Sequence, residues 1–212
     1  NRQLADMISA IAHDFRTPIA SIMGYAQTLV DDHDIPEEMQ DKFLNKIYNN
    51  GNKIEVLLSR LVMWNKFESK ETNIHKTRFD IYSLTKEIKA SLEEQYIGRE
   101  IIVIGESYEV EADRTLIDVV LKNLIENALK YSKDEVKVHI EQGLISVTDK
   151  GIGIGEQELD KVTKKFYRAG THSWDNSMGL GLSIVKTILS MHDTKLQISS
   201  ELGSGSTFSF KI

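Results

Sequence analysis

Residues 1–30 read NRQLADMISAIAHDFRTPIASIMGYAQTLV, and their apolar positions decide the first part of the fold. Leu4, Ile8, Ile11, Phe15, Ile22, Tyr25 and Leu29 alternate four and three apart, with Pro18 filling the one gap. That is a heptad seam, the mark of a helix packed in a bundle. Asp31-Asp32-His33-Asp34-Ile35-Pro36 then supplies turn residues, and Pro36 followed by Glu37 and Glu38 opens a second helix. Its seam carries Ile47, Ile54 and Leu61, flanked by Leu44, Leu57, Leu58 and Trp64, and continues to about Glu68 with Gly51 as a modest interruption. Each helix of roughly thirty residues is about 45 Å long. One hairpin of that length cannot bury both stripes, so a dimeric four-helix bundle is expected.

After the polar stretch Ser69-Lys70-Glu71-Thr72-Asn73 the pattern changes. Segments rich in Ile, Val, Tyr and Phe predict strands over Ile74–Phe79, Glu100–Ile104, Tyr108–Glu111, Val136–Glu141, Leu144–Thr148, Lys195–Ser200 and Thr207–Ile212. Helices fill Ile81–Gln95, Arg114–Tyr131, Glu156–Val162 and Leu180–Met191. This mixed order, with hairpins at Gln142-Gly143 and Gly203–Ser206, argues an α+β sandwich over a doubly wound parallel sheet. The expected organisation is a helical domain over 1–70, a linker over 71–77 and a sandwich domain over 78–212.

The chain has 212 residues, 41% hydrophobic and 27% charged, which excludes collagen-like, low-complexity and wholly disordered classes. With 32 acidic against 26 basic residues the net charge is −6, so no overall positive field draws it to nucleic acid or anionic lipid. The absence of cysteine removes disulfides, thiolate catalysis and thiolate-bound zinc, and fits a reducing compartment. No apolar run approaches the roughly 18 residues of a membrane span, and no signal-peptide pattern opens the chain.

On a helical wheel His13 lies about 200° from both Ile11 and Phe15, so it faces away from the seam. His33, His75, His139, His172 and His192 read as ordinary surface polar residues. The string Ala12-His13-Asp14-Phe15-Arg16-Thr17-Pro18, followed by Ile22-Met23-Gly24-Tyr25, closely resembles the phosphoacceptor box of sensor histidine kinases. An imidazole attacks phosphorus only if one ring nitrogen keeps its lone pair, and a carboxylate on the other N–H fixes that tautomer. Asp14 is the carboxylate on offer. The resemblance gives Asp14 general-base help in autophosphorylation and Thr17 the positioning of water for response-regulator dephosphorylation. Pro18 removes a helical hydrogen bond and is expected to kink the helix.

In Asn123-Leu124-Ile125-Glu126-Asn127-Ala128-Leu129-Lys130-Tyr131, the two Asn and Lys130 fall within about 60° of the wheel, opposite an apolar half. Amide oxygens ligate Mg²⁺ and a lysine neutralises phosphate, so this stripe suits a metal-bound polyphosphate. Asp149-Lys150-Gly151-Ile152-Gly153-Ile154-Gly155 follows a strand, and Gly179-Leu180-Gly181-Leu182 opens a helix whose N-terminus favours phosphate. With Phe166-Tyr167-Arg168 and Gly203-Ser204-Gly205-Ser206-Thr207, these resemble in order and spacing the N, G1, F, G2 and G3 boxes of the histidine-kinase ATP-binding domain.

That resemblance, over about residues 4 to 212, implies ATP and Mg²⁺ as cofactors. Asn127 would hold Mg²⁺ with Asn123 nearby, Lys130 would meet phosphate, Tyr131 would pack on the nucleotide, and Asp149 would accept from the adenine amino group. Gly151, Gly153, Gly179, Leu180 and Gly181 would border the nucleotide, Arg168 would meet the γ-phosphate, and Ala169 to Met178 would be the lid. Thr163 stands where the F box usually begins with Phe, Asn176 and Ser177 replace glycines common before Gly179, and Ala12 replaces a frequent Ser.

Related hydrolases of the gyrase type place a glutamate base where this chain has Asn123, and an amide takes no proton at neutral pH. Transfer to protein is therefore favoured over hydrolysis, and the presence together of His13, Asp14, Asn127, Asp149 and Arg168 argues against a bare scaffold. The expectation is the cytoplasmic core of a homodimeric sensor kinase that phosphorylates His13 and passes the group to a response-regulator aspartate. Movement about Ser69–Lys76 would bring the domains together. A membrane enters only through segments outside this chain.

Overall fold

Two long helices, α1 (Arg2–Asp31) and α2 (Glu37–Glu68), form the first unit of the computed structural model, which describes residues 2–68, 73–167 and 179–212. α1 runs unbroken through the buried Pro18. The turn is built by Asp32, whose Oδ1 accepts the Asp34 N–H at 3.0 Å, and by Pro36, whose carbonyl accepts the N–H groups of Met39 and Gln40. Ile35 is buried beneath it. Tyr25 and Phe43 pack across the hairpin with ring centroids 5.3 Å apart, and Asn50 Nδ2 donates to Ser21 Oγ at 3.2 Å.

Only part of the expected seam closes within this hairpin. Leu57 is buried, whereas Leu44 is 53% and Leu58 51% exposed, and Ile8, Met23, Val30 and Tyr48 are still more open. The two helices thus present an apolar surface that one chain leaves uncovered.

The second unit contains β1 (Thr77–Asp80), α3 (Ile81–Gln95), β2 (Ile101–Gly105), β3 (Glu109–Ala112), α4 (Arg114–Tyr131), β4 (Val136–Glu141), β5 (Leu144–Asp149), the short α5 (Glu156–Leu159), α6 (Gly181–Met191), β6 (Gln197–Glu201) and β7 (Gly205–Lys211). β1 and β3 pair antiparallel, and an aspartate caps the helix after each, Asp80 at the end of β1 and Asp113 just after β3. Asp80 accepts the N–H groups of Tyr82 and Ser83, and Asp113 accepts that of Leu116. A side-chain oxygen there satisfies helix donors that have no intrahelical partner.

The main sheet has the order β2-β4-β5-β7-β6, with β2 and β4 parallel and the other pairs antiparallel. Gln142 and Gly143 both have positive φ in the β4–β5 turn, the conformation that matches the twist of a tight hairpin. Along β5 the residues Ile145, Val147 and Asp149 are buried and their alternates are more open, so one face is apolar and the other wet. Ile117, Leu121, Leu124 and Ile125 of α4, with Ile184 and Ile188 of α6, supply the helical side of the core. β4 has its expected limits, the other strands start or end one to three residues from theirs, and the helix expected over Glu156–Val162 stops at Leu159.

Candidate functional site

On α1 the His13 side chain is 68% exposed while the neighbouring Asp14 side chain is 2% exposed. Despite their 100° separation on the helix, His13 Nδ1 lies 3.3 Å from Asp14 Oδ1. A neutral ring that gives its Nδ1–H to this carboxylate keeps the Nε2 lone pair free for attack. Thr17, one turn on, donates its hydroxyl to the His13 carbonyl at 3.4 Å and remains exposed, as does Arg16.

In the second unit, α4 carries four of the expected residues. Asn123 is buried, which sets it apart from a solvated polar face. Its Nδ2 donates to the Val119 carbonyl at 2.8 Å, and a Cβ placed on Gly181 would come within 2.9 Å of its Oδ1. Glycine at the start of α6 therefore leaves room beside an amide oxygen. Asn127 is half-buried and makes no side-chain hydrogen bond among the described residues. Two amide oxygens, one oriented and one without a hydrogen bond, fit a hard cation. No cluster of three or more His, Cys, Asp or Glu suited to a metal occurs among the described residues. Lys130 Nζ sits 5.4 Å from the Tyr131 ring centroid, with both side chains exposed.

Asp149 ends β5 on the helix-facing side. Its Oδ1 accepts the Gly151 N–H at 2.8 Å, and the carboxylate also accepts the Ser206 backbone N–H. Burial pushes the carboxyl up from 3.8, while these two donors pull it back. The loop that follows lies against α4, where Ile152 N–H reaches the Tyr131 carbonyl at 3.2 Å. Side chains have no room at this approach: a Cβ on Gly151 would run into the Tyr131 carbonyl, and one on Gly153 into that of Glu201. Gly179 has φ +62°, and Leu180 after it is buried.

The second unit thus brings Asn123 together with Gly181, and Tyr131 with Gly151 and Asp149. Arg168, the lid segment 169–178, and with them His172, Asn176 and Ser177, lie outside the described residues. Thr163 is half-buried.

His192 departs from its surface reading. It is buried, its Nδ1 meets the Ile188 carbonyl at 2.8 Å, and its Nε2 accepts the Asp113 N–H at 3.1 Å. Since a carbonyl accepts only, Nδ1 is the protonated nitrogen. Asp113 Oδ2 also accepts the His75 N–H at 3.0 Å. At the other end of α4, Arg99 donates to the carbonyls of Leu129, at 2.7 Å, and Asp134, at 3.0 Å. Nothing in the spacing of His192 or Arg99 distinguishes them, because Asp113 is 79 residues from His192 and Leu129 is 30 residues from Arg99.

Two family models match the chain in the order of these units: the His Kinase A (phospho-acceptor) domain over residues 3–70, and the Histidine kinase-, DNA gyrase B-, and HSP90-like ATPase over residues 112–212. The chain belongs to the histidine kinases and comprises their phosphoacceptor and ATP-binding domains. The phosphate regulon sensor protein PhoR of Pseudomonas aeruginosa is 29% identical over 214 residues, covering 96% of this chain and 48% of that protein. The Acinetobacter baumannii histidine kinase AdeS is similar in structure, with a TM-score of 0.70 and 25% identity over 94% of this chain and 96% of that one. The same fold occurs in histidine kinase ThkA, solved in complex with response regulator protein TrrA, with a TM-score of 0.68 and 24% identity over 99% of this chain and 61% of that one. The chain spans about half the length of PhoR and less of several other relatives. No helix among the described residues is long and apolar enough to cross a membrane.

Proposed function

We propose that this chain transfers the γ-phosphoryl group of Mg·ATP to Nε2 of His13, and from there to an aspartate of a response-regulator receiver domain. The observation that carries the reading is the pairing of an exposed imidazole with a buried carboxylate at 3.3 Å. As Nε2 bonds to phosphorus, the bond to the ADP oxygen breaks, and Asp14 takes up the positive charge and proton at Nδ1. The bound Mg²⁺ supplies charge neutralisation on the polyphosphate, and Asn127 and Asn123 would hold it through their amide oxygens. Lys130 and Arg168 add cationic charge towards phosphate, and Arg168 is assigned to the γ-phosphate. Tyr131 packs on the nucleotide, Asp149 accepts from the adenine amino group, and Gly151, Gly153, Gly179, Leu180 and Gly181 border it.

The active form is a homodimer, in which the apolar surface around Met23, Leu44 and Leu58 is covered by a second copy in a four-helix bundle. Thr17, exposed one turn after His13, orients water for dephosphorylation of the regulator. The working division is 1–70 for the phosphoacceptor domain, 71–77 for the linker and 78–212 for the catalytic domain, within a longer sensor protein.

The test is incubation with γ-labelled ATP and Mg²⁺, beside His13→Gln and Asn127→Ala. Label on the protein that is acid-labile and alkali-stable, and absent from both variants, is expected of a phosphoramidate. Free phosphate with no protein-bound label would point to a hydrolase instead, and neither product to a scaffold.

A further inference from the structure

The inner face of the central sheet changes character at one end. Val147, Phe208 and Ile198 stand side by side across β5, β7 and β6, and the next inward-facing row is Asp149, Ser206 and Ser200. Polar groups on such a face need partners, and the Ser200 hydroxyl has three. It donates to the Gly205 carbonyl at 2.8 Å, accepts the Ile154 N–H at 2.8 Å, and lies 2.9 Å from the Ser206 hydroxyl. A hydroxyl carries one proton. With that proton directed at Gly205, Ser206 is the donor between the two serines, and the two lone pairs of Ser200 accept from Ile154 and Ser206.

Each partner of Ser200 belongs to the surroundings of Asp149. Ile154 closes the glycine loop that begins at Asp149, and Gly205 precedes Ser206, whose backbone N–H holds the Asp149 carboxylate. The Ser200 hydroxyl thus bonds both to that loop and to the start of β7.

We propose that Ser200 is a positioning residue for base recognition, fixing the Asp149–Gly155 loop to the β6–β7 hairpin so that Asp149 meets an amino donor on the purine. The proposal rests on the nucleotide-binding reading above. Adenine offers an amino group where guanine offers a carbonyl oxygen, and a fixed acceptor rejects the second by leaving two acceptors face to face. Loosening the loop removes that discrimination while leaving the phosphate-binding groups on α4 in place.

The experiment titrates ATP and GTP into the full chain carrying Ser200→Ala or Ser200→Thr and into the unsubstituted protein. Ser200→Ala should weaken ATP about tenfold and GTP by less than about threefold, with label transfer at saturating ATP nearly unchanged. Ser200→Thr, which keeps the hydroxyl, should restore the ATP preference. Unchanged ATP affinity in Ser200→Ala, or equal loss for both nucleotides, would overturn the proposal. If the unsubstituted chain binds neither nucleotide, the nucleotide reading itself falls and this inference with it. Should Ser200→Ala fail to fold, amide exchange in the unsubstituted protein decides: Ile154 N–H is expected to be protected, and exchange at the rate of an open loop would refute the anchor.

Discussion

His13 Nδ1 and Asp14 Oδ1 approach to 3.3 Å although the first side chain is open to solvent and the second is almost wholly buried. The exposed ring is thereby aimed by a carboxylate that solvent does not reach. Asp14→Asn retains the shape but lacks the acceptor charge that stabilises a protonated ring. It should slow phosphorylation of His13 by about 10²-fold or more, the usual contribution of a positioned acid or base, with ATP affinity unaltered. Initial rates of label incorporation at saturating ATP measure this, and a rate within twofold of the unsubstituted chain would remove Asp14 from the reaction.

Gly181→Ala tests the space beside Asn123. The added methyl would meet Asn123 Oδ1 at 2.9 Å, and that short side chain is already tethered through Nδ2 to Val119. Alanine suits a helix, so the fold should tolerate the change. Magnesium-dependent ATP affinity should fall about tenfold, or roughly 1.4 kcal/mol. Calorimetric titrations with and without Mg²⁺ would show it, and equal losses in both conditions would argue against a role for the Asn123 oxygen in holding the cation.

Asp149 couples binding to pH. Burial raises its carboxyl above 3.8, so the proton returns at a higher pH than in an unfolded chain, and the protonated group is the poorer acceptor. ATP affinity should therefore weaken as pH is lowered into the acid range, beginning at a higher pH than an ordinary carboxylate would require. The same shift acts oppositely on apo stability: this group's contribution is fully present below the unfolded value and is lost as pH rises through the folded one. Binding curves across this range, with Asp149→Asn as a pH-independent reference, provide the check. A flat response in the unsubstituted chain would exclude Asp149 as the acceptor.

His192→Ala deprives the buried Asp113 N–H of its partner, while the Ile188 carbonyl loses the ring but keeps the residue-192 backbone N–H at 3.2 Å. Leaving that one N–H unsatisfied costs about 1–3 kcal/mol. Urea unfolding of the variant should show a loss of that order with an unchanged slope. Stability within about 0.5 kcal/mol of the unsubstituted chain, the range of an ordinary surface change, would return His192 to the surface.

The helices were legible because their information is local. The seam of α1, the cap-like opening after Pro36 and the polar stripe of α4 each repeat within a few residues, and the bounds expected for α3 and α4 coincide with those observed. Strand pairing was less so: β2 lies beside β4 across α4, and no turn chemistry announces a parallel pair. Asn123 and Gly181 read as separate motifs until the fold sets one against the other. His192 and Ser200 were hidden for a different reason, since each is an ordinary polar residue that joins a nearby carbonyl to a distant N–H, that of Asp113 or Ile154.

Both ends of α4 are tied down by groups outside it. Asp113 holds the first turn and also grips the His75 N–H, while Arg99 holds the Leu129 carbonyl in the last turn. A helix moored in this way cannot slide lengthwise without breaking one mooring, so Asn123 and Asn127 keep a constant height above the sheet. Any adjustment of the nucleotide pocket then falls to the elements that close over this rail, and a tug on the backbone at residue 75 is felt first as tension at the α4 N-terminus.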